Sequence, residues 1–376
     1  KEDSKPLKVE NTNESVTNGY DSAFTLTAFN PLTGKMMNIQ QYCEMYGLPI
    51  DSVKSYKLVS HTGTPYFNIV FKETEAISEE TVDIKSIIEK YANNVVKQTP
   101  SNGKIKDVDQ AFDVLTYTDV HIAMDTNANN TSMYATEWNE VTCLEAIKEM
   151  LKKTVKNKRN NLLVVDELGD FLDGFNGYTT RGGHKLPQNM TDEQAFDLGV
   201  RIKMLICDTL APIYDHVIFN NICNDNHAGS FGYFVNSAFK SIGDRKYSNV
   251  TITNHRNFIN HYIVNGIAFV ISHGKDEDTL KFGFKPVLDS KGLEKIDQYC
   301  KQNNLYKLSD KVVFKKGDSH QAMFDMATSD DFYYFNYPAL SPSSQWVQNN
   351  FKKGRRGFVM ETWDNDQNVS LNLQLK

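Results

Sequence analysis

No stretch of this chain approaches the roughly 18 consecutive apolar residues of a membrane-crossing helix, so no α-helical span and no membrane partner is expected. Cysteine is scarce: the five thiols, at positions 43, 143, 207, 223 and 300, show no CxxC spacing. Their odd count suits a disulfide framework poorly, and reduced thiols in a cytoplasm are expected. The first residues, Lys1-Glu2-Asp3-Ser4, lack the apolar core of a signal peptide. Sequons such as Asn249-Val250-Thr251 are accordingly expected to carry no sugar. An excess of basic charge is also missing. The net charge of -6 and pI near 5.9 exclude a globally basic nucleic-acid coat, while leaving room for a local basic face. No internal repeat is apparent. What remains is 376 residues with 40% apolar and 11% aromatic content, enough for one large domain and an accessory one.

Residues 1–22 are polar and without periodicity, which predicts a loosely held arm. Residues 23–105 read as a separate α+β unit. Ile39, Tyr42, Cys43 and Tyr46 fall at i, i+3, i+4 and i+7, marking a short helix that ends at Gly47. The turn Leu48-Pro49-Ile50-Asp51 then leads to an expected second helix through Tyr56, followed by a strand at Tyr66–Phe71. Such a unit is either a helix-turn-helix with a β element or a plain packing module, and Lys54 and Lys57 make only a thin basic face. Ile84, Ile87, Ile88 and Tyr91 repeat the helical spacing, and Thr99-Pro100-Ser101-Asn102-Gly103 reads as a linker with a boundary near 105.

Residues 106–376 alternate strands with helices, which predicts a layered α/β domain. Helical spacing recurs at Val141, Leu144, Ile147 and Leu151, at Phe196, Ile202, Leu205 and Ile206, and at Leu293, Ile296 and Cys300. Five short apolar runs each end in metal-ligand residue types. Val114-Leu115-Thr116-Tyr117 precedes Asp119 and His121; Leu162-Leu163-Val164-Val165 precedes Asp170; and Val217-Ile218-Phe219 precedes Asn226-His227. Phe269-Val270-Ile271 precedes His273, and Val312-Val313-Phe314 precedes Asp318 and His320. Open sheets bind at the carboxyl ends of their strands, so five such endings can converge on one site.

Asp119-Val120-His121 sets two ligand types two residues apart, so that both can grip one cation. Gly169-Asp170-Phe171-Leu172-Asp173 adds a turn-permitting glycine and a carboxylate able to bridge two cations. Asn226 offers a neutral oxygen beside His227. Mixed His, Asp and Asn donors suit Mn, Fe or Zn better than Ca or Mg.

The order of these motifs resembles that of the calcineurin-like metallophosphoesterases, DxH, GDxxD, GNH(D/E), an isolated His and GHxH, over about residues 105–330. The resemblance implies a four-layer α-β-β-α sandwich with two central sheets. It implies that Asp119 and His121 hold a first metal, that Asp170 bridges, that Asn226, His273 and Asp318 hold a second, and that His320 returns to the first. His227 would stand beside the phosphate as general acid or transition-state stabiliser, and Asp173 would brace the ligands or face the substrate. Two departures stand out: Asp225-Asn226-His227-Ala228 replaces GNH(D/E), and Gly317-Asp318-Ser319-His320 replaces GHxH. A carboxylate for an imidazole at Asp318 shifts preference toward harder cations, Mn foremost, with Fe, Zn and Mg as alternatives. The variants look like those of a bacteriophage-encoded, SbcD-like branch.

Residues 174–184 read as a mobile surface segment offering Arg181 and His184 as substrate contacts. His255 and His261 are expected in core or surface roles. Lys352-Lys353-Gly354-Arg355-Arg356 is either a phosphate-backbone contact or a solvated hairpin, and Trp346 either a stacking indole or a buried anchor. The expected activity is hydrolysis of a phosphoester by a metal-activated hydroxide, with DNA or RNA as the foremost substrate. A phosphatase or cyclic-nucleotide phosphodiesterase for small substrates is the alternative, and a non-catalytic binding module the third reading.

Overall fold

The chain divides into two compact units, Lys1–Asp83 and Ile84–Lys376. The computed structural model describes residues 13–14, 23–24, 28–30, 33, 35–46, 48, 50–59, 65–71, 111–128, 136–274, 286–350 and 355–375. In the first unit, β1 (Asn13–Glu14) pairs antiparallel with β2 (Ala23–Phe24). Helix α1 (Ile39–Tyr46) starts where Asn38 and Gln41 exchange side-chain to backbone hydrogen bonds, and it buries Tyr42 and Cys43. The expected second helix does not form. After one 3-10 turn at Ile50–Ser52 the chain enters β3 (Val53–Val59), which pairs antiparallel with β4 (Tyr66–Phe71). Val53, Tyr56 and Val59 are β-branched or aromatic and favour the pleated ladder, and Phe67 of the hairpin meets Tyr42 edge to face at 5.0 Å. The helix-turn-helix is therefore replaced by a helix and hairpin. The helix expected at 84–91, the linker and the boundary near 105 lie outside the described residues.

The second unit is a mixed α/β structure with two central sheets. Strands β5 (Phe112–Tyr117), β6 (Leu162–Glu167), β7 (His216–Ile222) and β8 (Val250–His255) run parallel in that order, and β14 (Gly357–Trp363) and β15 (Val369–Leu375) extend the β5 edge antiparallel. The crossovers are helices α2 (Glu140–Lys156), α3 (Asp192–Leu210) and α4 (Ser230–Lys246). Asn139 with Thr142 and Thr191 with Gln194 form reciprocal capping boxes at the starts of α2 and α3. Helix α4 was not anticipated, although Phe231, Val235 and Phe239 bury one face at i, i+4 and i+8.

The second sheet has the order β12 (Met323–Asp325), β13 (Tyr333–Asn336), β11 (Lys311–Lys316), β10 (Ile267–Ser272), β9 (Ile259–Val264). Its pairs β10/β11 and β11/β13 are parallel. Helix α5 (Ser290–Gln302), capped by Asp289, leads through α6 (Leu305–Leu308) into β11, and α7 (Gln345–Asn350) precedes β14. Every residue of β5, β6 and β10 is buried, as strands covered on both faces require.

Three apolar clusters fill the unit. In the first, Leu115, Val165 and Phe219 meet Ile147, Ile202 and Phe239 of the helices. In the second, Phe112, Val114 and Val164 of one sheet meet Phe269, Ile271 and Val313 of the other. In the third, Val270 and Phe314 meet Ile296 and Cys300 of α5. A charged group is buried between the sheets as well. Lys315 Nζ lies 2.8 Å from both Asp166 and Glu361, and Tyr262 and Tyr337 donate to those carboxylates. Burial disfavours the Lys315 ammonium, but Asp166 and Glu361 outweigh it and raise its pKa. Satisfied in this way, the three charges are compatible with a dry core.

Candidate metal centre

The carboxyl ends of β5, β6 and β7 meet those of β10 and β11, so the five strand endings converge. Asp119 and His121 follow β5, Asp170 and Asp173 follow β6, Asn226 and His227 follow β7, His273 follows β10, and Asp318 and His320 follow β11. The loops are laced across the sheets: His273 Nδ1 donates to the Leu168 carbonyl at 2.8 Å, and the Asp318 amide donates to Asp119 Oδ2 at 3.1 Å. Gly169 sits at φ +97°, and a Cβ there would meet the His273 ring at 2.9 Å, so both the turn and the imidazole's approach require glycine. Gly317 likewise lies against Thr118 and Asp119.

Backbone conformation marks the same place. Of ten non-glycine residues with positive φ among those described, five are Asp119, His121, Asp170, Asp318 and His320. Each costs roughly 1–2 kcal/mol relative to a right-handed conformation, and such strain gathers where side chains must be aimed at a common point.

Three ligand triads have their donor atoms within 4.8 Å of one another: Asp119/His121/His320, Asp119/Asp170/His273 and His121/Asp173/His227. His320 Nε2 lies 3.3 Å and His121 Nε2 3.7 Å from Asp119 Oδ1. Asp170 Oδ2 is central, at 3.0 Å from His273 Nε2, 3.7 Å from His227 Nε2 and 3.9 Å from His121 Nε2. Asp318 Oδ1 is 3.8 Å from His273 Nε2. Asp119 Oδ1, His121 Nε2, Asn226 Oδ1 and Asp318 Oδ2 are buried with no hydrogen-bond partner. Four such atoms in one cluster would be costly, and a cation is the partner that satisfies all of them. Mixed nitrogen and oxygen donors fit a borderline divalent ion.

The third triad differs. Asp173 Oδ1 accepts from His121 Nδ1 at 2.9 Å and from His227 Nδ1 at 3.0 Å, so its donors are already satisfied. Asp173, expected among the substrate contacts, is buried and fixes two imidazoles so that each presents Nε2 to the centre. Trp138 Nε1 adds support by donating to the carbonyls of Val120 and His121.

The segment expected to be mobile is instead pinned. Thr180 and Arg181 amides donate to the carbonyls of His227 and Asn226 at 2.9 and 3.1 Å, and Phe175 and Tyr178 exchange backbone hydrogen bonds. Arg181 Nη2 donates to Asn224 Oδ1 at 2.9 Å, while His184 is exposed. Arg256, absent from the expected set, is exposed with its guanidinium 4.8 Å from the Tyr233 ring centroid. Asn224 Nδ2 donates to its carbonyl. Of the basic turn, Arg356 packs against Trp138 at 5.7 Å, and Trp346 is 57% exposed rather than a buried anchor. His255 bonds Asn220 and His261 bonds Tyr299, outside the centre.

Supporting residues that sequence reasoning missed include Lys203 and Glu167. Fully buried, Lys203 Nζ donates to Glu167 Oε2 at 2.9 Å and Asn221 Oδ1 at 2.8 Å, and Glu167 Oε1 accepts from the Gly169 amide at 2.7 Å. Two acidic residues ending an apolar strand, Asp166-Glu167, were the available signal.

The buried carboxylates and imidazoles of the centre shift one another's titration. Burial opposes the His273 imidazolium, but Asp170, Asp119 and Asp318 outweigh it and hold the pKa up at about 10. For His121, burial is outweighed by Asp119 and Asp173, which raise it well above the ordinary value. Burial would raise Asp119 and Asp170, but the facing imidazoles lower both. Burial pushes Asp318 up, ahead of the opposing His273 and Lys316 charges, and it carries Asp225 to about 6 with the help of Asp170. The stabilisation from His273 in the metal-free protein is fully present below an unfolded-state pKa of about 6.5. It is lost as pH rises toward 10. Imidazoles bind metals only when neutral, so loading must expel these protons. Calorimetric titration of Mn(II) at pH 7 in buffers of different ionisation enthalpy should report proton release on binding, with His273, held up at about 10, as a source. Affinity should rise with pH, and a pH-independent affinity without proton release would contradict the assignment.

No family model and no curated protein matches the chain. Among solved structures it is similar to GAP50, the anchor in the inner membrane complex of Plasmodium, at 12% identity over 70% of this chain and 84% of that one, with a TM-score of 0.36. It is also similar to a 5'-nucleotidase from Candida albicans SC5314, at 10% identity over 74% of this chain and 52% of that one, with a TM-score of 0.31. The chemistry is therefore read from the side chains themselves. Among the described residues no helix is long and apolar enough to cross a membrane.

Proposed function

We propose that the protein is a dinuclear metallophosphoesterase of the calcineurin-like kind, with a phosphodiester of nucleic acid as its substrate. The observation that carries this reading is the convergence of five strand endings on buried ligand atoms left without hydrogen-bond partners. A four-layer α-β-β-α arrangement is supported by the three apolar clusters, which pack helices on each sheet and the two sheets on each other; residues 106–376 would form the hydrolase domain and 23–105 an accessory domain.

Asp119, His121, Asp170 and His320 would hold one cation, and Asp170, Asn226, His273 and Asp318 the other, with Mn as the expected ion. Bound there, the pair would supply a hydroxide nucleophile at neutral pH and neutralise charge at phosphorus. His227 is the open imidazole, its side chain 19% exposed against 4% for His121 and 0% for His273. Burial opposes its charged form, but Asp170 and Asp173 raise its pKa. In its protonated form, aimed by Asp173, it would donate its Nε2 proton to the leaving oxygen. A diester is favoured over a monoester by the two arginines beside the His227 loop, Arg181 and Arg256, which offer contacts to flanking phosphates.

The test is Mn(II)-dependent hydrolysis of bis-p-nitrophenyl phosphate and p-nitrophenyl phosphate, followed by single-stranded and duplex DNA. Preferential turnover of the diester together with DNA cleavage is expected. Activity confined to the monoester would make the protein a phosphatase, and metal uptake with no hydrolysis of any substrate would favour a binding role.

A further inference from the structure

Asp225 is 3% exposed, and its carboxylate is used wholly by backbone amides. Oδ1 accepts from the amides of Ala228 at 2.7 Å and Gly229 at 3.0 Å, while Oδ2 accepts from the amide of Asp170 at 3.2 Å. One side chain thereby ties the turn after β6, which carries Asp170, to the turn after β7, which carries Asn226 and His227. The tie is local and strong, because hydrogen bonds to an ionised acceptor exceed those between neutral groups. It is also demanding. Asp170 holds φ +47°, so its amide direction depends on what it donates to. The His227 amide in turn donates to Asp170 Oδ1 at 3.3 Å, closing a ring of contacts between the two turns. None of Asp225's carboxylate oxygens belongs to the ligand triads.

We propose that Asp225 is a positioning residue for the cation held by Asp170, Asn226, His273 and Asp318, fixing the two turns at the spacing that lets Asp170 serve both metals. The inference rests on the dinuclear reading above. Asp225→Asn is nearly isosteric, and its amide nitrogen cannot accept from a backbone N–H. Whichever way that amide is turned, one of the two turns loses its acceptor. Removing an outer partner of a ligand typically weakens metal binding 10–100-fold.

Mn(II) titration is followed by calorimetry and by electron paramagnetic resonance in wild type, Asp225→Asn and Asp225→Ser. Wild type should take up two ions and show an exchange-coupled spectrum. Both variants should bind the first ion with little change, bind the second about 10–100-fold more weakly, and regain the coupled spectrum at high Mn(II). Metal-free melting temperatures report folding separately. Isotherms and spectra like those of wild type, or loss of the metal-free fold in both variants, would overturn the positioning role. Absence of metal uptake by wild type would instead remove the dinuclear reading itself.

Discussion

Asp170→Ala is expected to lose dinuclear metal loading and, with it, phosphoester hydrolysis. Asp170 Oδ2 lies within 3.9 Å of Nε2 on three imidazoles, His121, His227 and His273, and among the described residues no other carboxylate is so placed. The substitution leaves these rings without their common anion. In the metal-free protein their protonated forms lose the charge that stabilises them, so the raised pKa values of His227 and His273, both drawn up in part by Asp170, should fall. Nuclear magnetic resonance titration of the ring protons would register that shift without any metal present. With metal, uptake should drop from two ions to at most one, because the carboxylate oxygen that faces imidazoles of both ligand groups is gone. Metal coordination can lower a water's pKa from 15.7 to about 7. Loss of that activation should therefore exceed the ~10³-fold effect of removing a single preorganised donor. An Asp170→Ala protein that still bound two ions per chain would remove the bridging role.

The convergence of the strand endings was legible because two signals coincide there. Buried parallel strands read as short apolar runs, and metal-ligand residue types follow each run within a few positions. Positive-φ geometry at Asp119, His121 and Asp318 was not legible, since aspartate and histidine carry no glycine-like mark. The support behind the ligands was hidden for another reason. Lys203, Glu167 and Lys315 are charges that a periodicity argument assigns to solvent, yet each is fully buried because a partner of opposite sign arrives from a distant segment. Asp225 was hidden more completely, because its partners are backbone amides and leave no trace in residue identity. In the first unit, a short helix at Ile39–Tyr46 followed by a tight turn suggested a second helix, but the β-branched and aromatic residues of Val53–Val59 found a cross-strand partner at Tyr66–Phe71.

His227→Ala should separate chemistry from metal binding. The alternative to its acid role is that it ligates a cation with His121 and Asp173, whose donor atoms lie close enough to do so. Hydrogen bonding argues against that. Both Nδ1 atoms donate to Asp173 Oδ1, at 2.9 and 3.0 Å, and a cation there would have to displace both protons. Among the imidazoles of the centre, His227 is also the most open to solvent, as a group that meets substrate must be. The expected result is a fall in kcat of about 10²–10⁴-fold, the usual contribution of a positioned general acid. KM should change little, and the chain should still bind two Mn(II). An acid acts while protonated, so wild-type kcat should decline as pH rises through the His227 pKa, and that basic limb should vanish in the variant. A substrate with a p-nitrophenolate leaving group needs little protonation and should be spared relative to a DNA phosphodiester with its alkoxide leaving group. If metal content fell in step with turnover and both leaving groups suffered equally, His227 would be a ligand and the proton would have to come from elsewhere.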